Sequence, residues 1–473
     1  MNKSISLIGG NKHNTIIDGS FKDNVTKLIS DGIEINGFTI KNSISGEFLS
    51  YGIGVYSSNN KITNNIILDN NFGIYIDDFS SNNNILDNII SSNFYYGIML
   101  TSNYSLVNNS ISYNKIFSNL LGIMCYRSYG NTFYHNEIKK NTESGIELLQ
   151  AEKNTISYNK ISNNTYLGIY LVNSNDNNIT LNNISNNGGR GIYLLYSYYN
   201  SIIKNNITNN EFSGIFLHED SKFNTITINN ISSNSHHGIR LIESNKNTIT
   251  LNNLISNKWD GIYLYNSSNN IMAVNNIISN IDFGICLDSY SNDNTIYNNN
   301  FINNTLQNAW DYCNNTWDNG YPSGGNYWSD YTGNDSDGDS IGDTSYPIPG
   351  GDNVDSYPLM EPYGMTKLTL DFIKGLFKFS GGIKNIGNKT AFNVQWNITI
   401  DGGLVILGKE SSGTIPKPLL VGAETKVSSN LVLGFGPISI TVAVWADNAP
   451  FVSRTISGFL LLFFIKINPG VRI

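Results

Sequence analysis

Short apolar segments alternate with asparagine-rich polar segments over residues 4–310. Within a segment such as Gly214-Ile215-Phe216-Leu217, alternate side chains face opposite sides, which is the period of a β-strand. A Gly-Ile pair also returns about every 23 residues, so the strands belong to repeating units. The pair occurs at Gly32, Gly52, Gly73, Gly97, Gly122, Gly145, Gly168, Gly191, Gly214, Gly238, Gly261 and Gly284.

Each unit holds three short apolar segments, too few to enclose a hydrophobic core alone. Units stacked in register at about 4.8 Å per coil share one continuous core. No proline precedes Pro322, which agrees with strands that use every backbone N–H in a ladder. We therefore predict an all-β protein in which residues 1–310 form a parallel β-helix of about 12 coils.

Asparagines mark the corners of the predicted coils. Stacked amides can hydrogen-bond from coil to coil, and Asn tolerates the left-handed backbone of a sharp corner. An Asn-rich disordered tract would fit the composition but not the fixed spacing of Ile and Gly. One row lies nine positions before the glycine, apart from the coil of Gly122: Asn64, Asn88, Asn136, Asn159, Asn182, Asn205, Asn229, Asn252 and Asn275.

The charge balance narrows the class of protein. The chain has 37 acidic and 29 basic residues, a net charge of −8, which argues against a nucleic-acid partner. The longest apolar run, Phe459–Ile465, is far shorter than the roughly 20 residues of a transmembrane helix, and we interpret it as a buried strand. Three widely spaced cysteines, Cys125, Cys286 and Cys313, exclude a disulfide framework and a CxxC metal site.

The repeats resemble the right-handed parallel β-helix repeats of the NosD-type family, a periplasmic copper-binding accessory family, and of carbohydrate-binding and sugar-hydrolase β-helices. The resemblance implies a right-handed coil and a location outside the cell or on its surface, or in the periplasm if the source is bacterial. Similar coils occur in lyases, hydrolases, epimerases, adhesins and binding modules, so no reaction is selected. The chain lacks a secretion signal before its first strand, and we interpret it as truncated at its N-terminus.

An acidic connector follows the repeats. Residues 311–356 contain nine aspartates and no Lys, Arg or Glu. Asp335, Asp337, Asp339 and Asp343 alternate with glycine-containing positions, a spacing that turns carboxylates toward one hard cation such as calcium. An EF-hand does not fit, because the twelfth position is Tyr346 and no helix flanks the loop. A solvated acidic turn is the alternative.

Resemblance extends to the rest of the chain. Residues 311–362, with Asn326-Tyr327-Trp328-Ser329 and Asp355-Ser356-Tyr357-Pro358, resemble the element that follows the β-helix in archaeal NosD-like proteins, which implies a calcium-binding cap. Strands separated by glycine turns predict a β-sandwich over residues 363–473. Ile383–Gly387 and Asp401-Gly402-Gly403 resemble adhesion-related, immunoglobulin-like domains of prokaryotic surface proteins.

Aromatic residues two positions after the glycine indicate a sugar-binding strip. Residues at one offset should lie about 4.8 Å apart on neighbouring coils. Exposed rings in such a row stack against sugar faces, although aromatic residues also favour strand surfaces for packing alone. The candidates for stacking are Tyr170, Tyr193, Phe216 and Tyr263, together with Trp259.

Polar residues gather on the coils of Gly214, Gly238 and Gly261. Glu219 and Glu243 share one offset, so their carboxyl groups can approach to about 5 Å, as in retaining glycosidases. His237, Asp260 and Arg240 complete the catalytic candidates. A solvated charged face is the alternative. A copper site from His218, His236 and His237 would lack the Met and Cys ligands that select Cu(I), which makes copper a weak expectation.

These observations lead to three functional hypotheses. The first is a non-catalytic cell-surface or secreted protein that binds polysaccharide or other cell-envelope components and contains structural calcium. The second is a polysaccharide-active hydrolase, lyase or epimerase that uses the polar cluster. The third is a NosD-like copper-handling accessory protein.

Overall fold

A computed structural model describes residues 1–43, 50–364, 366, 368–375, 377–387, 389–446 and 449–467. Throughout this part of the chain the regular elements are β-strands, which confirms the predicted all-β class. The chain forms two compact units, Met1–Glu361 and Pro362–Ile473.

The first unit is a parallel β-helix, as predicted, in which successive coils add strands to three sheets. Among the described residues the sheets contain 13, 14 and 13 strands, slightly more than the number of coils expected. Sheet 1 consists of Ser6–Ile8, Glu34–Asn36, Lys61–Thr63, Asn84–Leu86, Ser110–Ser112, Thr132–Tyr134, Thr155–Ser157, Asn178–Thr180, Ser201–Ile203, Thr225–Thr227, Thr248–Thr250, Ile271–Ala273 and Thr295–Tyr297.

The other two sheets complete the triangular path of each coil. Sheet 2 consists of Ile16–Asp18, Thr39–Lys41, Ile66–Leu68, Ile89–Ser91, Lys115–Phe117, Glu137–Lys139, Lys160–Ser162, Asn183–Ser185, Asn206–Thr208, Asn230–Ser232, Asn253–Ile255, Asn276–Ile278, Asn300–Ile302 and Tyr327–Trp328. Sheet 3, which contains the Gly-Ile pairs, consists of Thr26–Leu28, Tyr51–Val55, Phe72–Ile76, Tyr96–Leu106, Leu121–Tyr129, Ile146–Leu149, Ile169–Val172, Ile192–Leu195, Ile215–His218, Ile239–Ile242, Ile262–Tyr265, Phe283–Leu287 and Gln307–Asp311.

The interior of the coil is a set of aliphatic ladders. Ile179 of sheet 1 pairs with Ile202 of the next coil, and Ile184 of sheet 2 pairs with Ile207. All four side chains are fully buried. Burying one such side chain is worth about 1.5–3 kcal/mol, so the repeated isoleucines supply the main driving force for folding.

Buried asparagine ladders close the corners. The Asn182 side-chain Nδ2 donates to Asn205 Oδ1 at 3.0 Å and to the Ile156 carbonyl at 2.8 Å. The Asn182 backbone N–H donates to the same Asn205 Oδ1 at 2.9 Å. Because each amide satisfies buried backbone groups as well as the next amide, the corner can exclude water.

Two details of the predicted asparagine row were wrong. Asn64 lies outside the ladder, which contains Asn65 instead, and the coil of Gly122 does contribute Asn114. Both coils have one residue fewer between corner and glycine, which shifts the offset from nine to eight. The left-handed residue is the one before the ladder asparagine, as at Asn64 (φ 54°) and Asp87 (φ 56°), because this turn directs the next side chain into the corner.

Two buried aspartates organise the segment after the last coil. Asp311 Oδ2 accepts from Trp317 Nε1 at 2.9 Å, and Asp355 Oδ2 accepts from Trp328 Nε1 at 2.8 Å. Trp328 stacks on Phe301 of the last coil with a centroid distance of 4.5 Å. Burial raises the pKa of Asp355 to about 6 despite its hydrogen bonds. Because Trp328 lies on Phe301 and both indoles are buried, the two indoles cover the end of the aliphatic interior.

The second unit contains two antiparallel sheets, an arrangement compatible with the predicted β-sandwich. Its immunoglobulin-like character stays a prediction. The buried interior includes Phe379, Ile398 and Ile440. One sheet contains Leu368–Gly375, Phe379–Asn385 and Glu424–Ser428, and the other contains Gln395–Asp401, Leu404–Leu407, Glu410–Thr414, Leu433–Ala446, Ala449–Leu462 and Phe464–Ile467. The two-residue strands Tyr346–Pro347 and Val354–Asp355 pair separately in the first unit.

The segment Phe459–Ile465 is not the single buried strand that we inferred from its apolar sequence. The chain reverses at Leu462, which has a φ of 54°, so two paired strands share the segment. Leu460 and Ile465 are buried, whereas Leu461, Leu462 and Phe464 are exposed. In the described ranges we find no helix with the length and apolar character needed to cross a membrane.

Candidate functional site

The predicted aromatic row occupies consecutive rungs of sheet 3. Tyr170 pairs with Tyr193, Tyr193 with Phe216, Phe216 with Arg240, and Arg240 with Tyr263. The first three rings stack at centroid distances of 4.9 and 5.0 Å. Phe216 is only 3% exposed, so other side chains cover this part of the row.

Two arginines contact the ring stack. The Arg190 guanidinium lies 4.8 Å from the Tyr193 ring centroid and 4.7 Å from that of Phe216. The Arg240 guanidinium lies between Phe216 and Tyr263, at 5.2 and 5.6 Å. Among the described residues, neither guanidinium has a carboxylate within salt-bridge distance. Burial lowers the pKa of Arg240, and its buried Nε has no hydrogen-bond partner in the described part of the chain.

A second aromatic row lies outside the first. His236 stacks between Phe212 and Trp259, with centroid distances of 4.8 and 4.4 Å. Trp259 is 45% exposed and Phe212 is also exposed. This row therefore presents aromatic surface to solvent beside the arginines.

His237 and Asp260 form a buried pair beneath Trp259. His237 Nδ1 lies 3.0 Å from Asp260 Oδ2, although without the alignment of a hydrogen bond. The His237 ring stacks on Tyr263 at 4.8 Å and meets Trp259 edge-on at 5.0 Å. Asp260 Oδ1 accepts from the Phe283 backbone N–H. Because both side chains are buried and held, this pair positions the neighbouring rings.

Three polar side chains lie beside the ring stack, on the side away from His237 and Asp260. The Tyr193 hydroxyl lies 2.9 Å from His218 Nδ1, and His218 Nε2 lies 3.7 Å from Glu219 Oε1. Burial raises the pKa of Tyr193 to about 12 and lowers that of His218. The Tyr193 phenol and the His218 imidazole are therefore both uncharged, and one hydrogen bond joins them.

Glu219 and Glu243 occupy the same corner position on neighbouring coils. Both have left-handed backbones, with φ of 44° and 51°. The Glu219 N–H donates to the Ile242 carbonyl, and the next N–H, of Asp220, donates to the Glu243 carbonyl. The structure thus brings the predicted acidic residues to one edge of the site, with His237 and Asp260 at the opposite edge.

Sequence reasoning missed Arg190, Phe212 and the role of His218. Arg190 shares its offset from the glycine with His237 and Asp260, and Phe212 shares its offset with Trp259. Following each offset over more coils would have found both. The contact of Arg190 with rings on two adjacent rungs depends on its side-chain direction, which the offset does not determine.

The acidic connector brings three of its four predicted ligands together. Ligand atoms of Asp335, Asp337 and Asp339 lie within 4.8 Å of one another. Asp343 Oδ2 instead accepts from the Ser336 backbone N–H at 3.0 Å. Desolvation alone would raise the pKa of Asp335, but hydrogen bonds from the Ser340 and Gly338 backbones lower it overall. The loop therefore holds Asp335 ionised.

Two family models match the first unit. One, described as "Periplasmic copper-binding protein (NosD)", matches residues 80–213 and 190–333. The other, described as "Right handed beta helix region", matches residues 2–116. Together they cover most of the coils and agree with the observed fold.

Solved structures of low sequence identity share the fold. A double mutant of the periplasmic alginate epimerase AlgG is 18% identical, with a TM-score of 0.51, and the match covers 62% of this chain and 77% of that chain. The A-module of the mannuronan C-5 epimerase AlgE4 from Azotobacter vinelandii is 15% identical, with a TM-score of 0.50 and coverage of 67% and 91%. No curated protein sequence matches the chain.

The residues around the histidines do not fit a copper site. The His236 and His237 rings lie 6.4 Å apart with planes at 71°. In the described part of the chain, the aspartates of the connector are the one group of three close His, Cys, Asp or Glu ligand atoms. Cys125 is fully buried on the coil of Gly122, several coils from these histidines, and its Sγ donates to the Ser128 carbonyl. We therefore derive no function through copper.

Proposed function

This chain belongs to the NosD family of parallel β-helix proteins, and we propose that it binds an acidic polysaccharide along sheet 3, outside the cytoplasm. The observation that carries the proposal is the pair of guanidiniums, Arg190 and Arg240, which lie over aromatic rings with no carboxylate partner among the described residues. A half-buried cation without a partner favours an anionic ligand. The family description as periplasmic supports the location.

The neighbouring aromatic row supports a sugar ligand in particular. Trp259 and Phe212 are exposed and are held by His236 between them. Rings fixed in this way bind the apolar faces of sugars at little entropic cost. The arginines then select carboxylated or sulfated chains over neutral ones, because only an anionic group compensates their desolvation.

We expect Arg240→Gln to weaken binding of an acidic polysaccharide by about tenfold or more, because it removes a charge-assisted contact. Two of the structural neighbours are alginate epimerases, so alginate is the first polymer to test, with neutral dextran beside it. Isothermal titration calorimetry at two salt concentrations measures the change. Arg127→Gln is the matched control, because Arg127 lies several coils from Arg240 and its Nε already donates to Gln150 Oε1 on the next coil. Equal affinity of both variants and the unchanged chain would contradict the proposal.

The same samples test the enzyme alternative. The Tyr193 hydroxyl, hydrogen-bonded to His218 with Glu219 nearby, favours it, because imidazole and phenol are groups that act as general base and general acid. Unsaturated products or altered uronate signals in NMR, lost in His218→Gln, would establish turnover. Intact polymer after prolonged incubation with a chain that binds it supports non-catalytic binding.

We also propose structural calcium in the connector. Three carboxylates within 4.8 Å favour a divalent cation over mutual repulsion. Calcium at about 100 times its dissociation constant should add about 2.7 kcal/mol to the free energy of unfolding. Thermal unfolding in calcium and in chelator should therefore differ by several degrees, and Asp337→Asn should remove most of the difference. Asp352→Asn, an exposed aspartate outside the group, is the control. Identical unfolding with and without chelator would exclude the site.

A further inference from the structure

A cleft of about 340 Å³ lies at the corner between sheet 1 and sheet 2, away from sheet 3. Its lining includes Lys12, Asn64, Asp87, Tyr113 and Lys115. None of these residues belongs to the polysaccharide site proposed above. The volume is at the lower end of the range for ligand pockets, which suits one sugar ring rather than a larger cofactor.

The cleft exists because a column of stacked rings ends there. Tyr113 and Tyr158 cover the two faces of His135, each with a centroid distance of 5.1 Å. Tyr134 supports this stack, meeting His135 edge-on at 4.3 Å. The preceding coil places the short Asp87 at the position of Tyr113, since Leu86 pairs with Ser112. One face of the Tyr113 ring is therefore packed on His135 while the opposite side borders the cleft.

The corner backbone of the column is left-handed, as it is at the same corner of the neighbouring coils. Tyr113, His135 and Tyr158 have φ of 56°, 52° and 56°, a left-handed conformation that disfavours large side chains. Asparagine or aspartate, as at Asn64 and Asp87, satisfies the same corner more readily. Later coils nevertheless place Leu181, Ile228 and Leu251 at this corner, so it accepts large side chains, and Tyr113, which is 50% exposed, presents its ring to solvent there.

Two ammonium groups border the cleft. Lys12 Nζ donates to Asn64 Oδ1 at 2.9 Å, which holds the ammonium at the cleft wall with two N–H groups to spare. Lys115 pairs in register with Glu137, but the Glu137 carboxylate is engaged by Lys139. Across the described ranges, neither Lys12 nor Lys115 has a carboxylate oxygen within 4.0 Å.

We propose that this cleft binds one pyranose unit that carries an anionic group, a carboxylate or a sulfate. The C–H face of the sugar packs on Tyr113, and the anionic group lies between Lys12 and Lys115. Asp87 accepts hydrogen bonds from the sugar hydroxyls, and Asn64 Nδ2 donates to them. The proposal does not depend on the function of sheet 3, because the two sites share no residue.

Saturation-transfer NMR on the full chain tests the cleft. The chain carries Arg240→Gln, so that sheet 3 contributes little. The probes are methyl β-D-glucuronide, glucose 6-sulfate and neutral methyl β-D-glucoside. We expect either or both anionic sugars to bind about five- to tenfold more tightly than the neutral one at low salt, and the difference to shrink as salt screens the lysines. The tighter of the two anionic probes identifies the group.

Two matched pairs of variants assign the binding to the cleft. Tyr113→Leu should weaken binding at least about fivefold, whereas Tyr199→Leu should not. Tyr199 is also an exposed, left-handed corner tyrosine and stacks on Phe223, far from the cleft. Lys115→Gln should weaken binding of the anionic probes, whereas Lys160→Gln, two rungs along the same row, should leave it unchanged.

The outcomes separate the two proposals. No saturation transfer, equal affinity for charged and neutral probes, or equal effects within either matched pair would overturn the cleft. Each of these results leaves the alginate titration of sheet 3 untouched. If the unchanged chain does not bind alginate but the small probes still bind, the sheet-3 proposal is overturned and the cleft with its residue assignment is supported.

Discussion

Gly191→Ala should destabilise the β-helix by about 3 kcal/mol or more, because the added methyl group has no space. A Cβ at Gly191 would lie 2.6 Å from the Gly214 carbonyl oxygen and 2.5 Å from Ile207 Cγ2. The Gly214 oxygen accepts the sheet-3 hydrogen bond from the Ile192 N–H at 2.9 Å, so it cannot move without weakening the ladder. Urea denaturation followed by circular dichroism measures the loss.

Gly10→Ala is the control for this substitution. A Cβ at Gly10 would meet no atom of the described residues within 4 Å, and the residue is exposed. Its stability should stay within about 0.5 kcal/mol of the unchanged chain. If the two alanine variants are equally stable, neighbouring coils can move apart to accommodate the methyl group at little cost. Close packing then does not explain the recurring glycine.

Asn182→Ala should cost about 3–5 kcal/mol, because it leaves several buried polar groups without partners. The Asn182 Oδ1 accepts from the Asn159 N–H at 2.9 Å and from its Nδ2 at 3.0 Å. The Asn182 Nδ2 in turn satisfies the Ile156 carbonyl and Asn205 Oδ1. Alanine removes every one of these contacts and leaves a cavity in the corner. Thermal unfolding of the full chain measures the effect.

The adjacent Asn183 provides a matched control. Asn183 is exposed, and its Oδ1 accepts a hydrogen bond from Asn206 Nδ2 at the surface. Because water replaces this contact, Asn183→Ala should change the free energy of unfolding by less than about 0.5 kcal/mol. Similar losses in both variants would mean that the buried ladder contributes no more than surface asparagines do.

The coil architecture was predictable because it repeats a local pattern. Ile179, Ile184 and Ile192 stand at positions that recur in each coil, and all are fully buried. A repeated cross-section requires the same apolar positions each time, so the spacing alone implies stacked strands. The three close aspartates of the connector were predictable for a different local reason, because they lie within five residues of one another in the chain.

The candidate site was only partly predictable. The period of two places Tyr193 and Phe216 on the side opposite the buried isoleucines, as expected. It does not say what covers that side, and Arg190 reaches both rings from the turn before its strand. Side-chain direction in a turn depends on the neighbouring coils, which is why Arg190 and the bond between Tyr193 and His218 came from the structure.

Local composition thus settles which segments are strands, where coils repeat and where acidic groups concentrate, because each property depends on residues close in the chain. Contacts between coils settle the rest. Successive ladder asparagines are 22 residues apart at Asn114 and Asn136 but 27 apart at Asn299 and Asn326. A single extra residue decides which side chain enters a corner, and only the stacked coils show that Asn65 rather than Asn64 does so, or that the ring column ends at Tyr113.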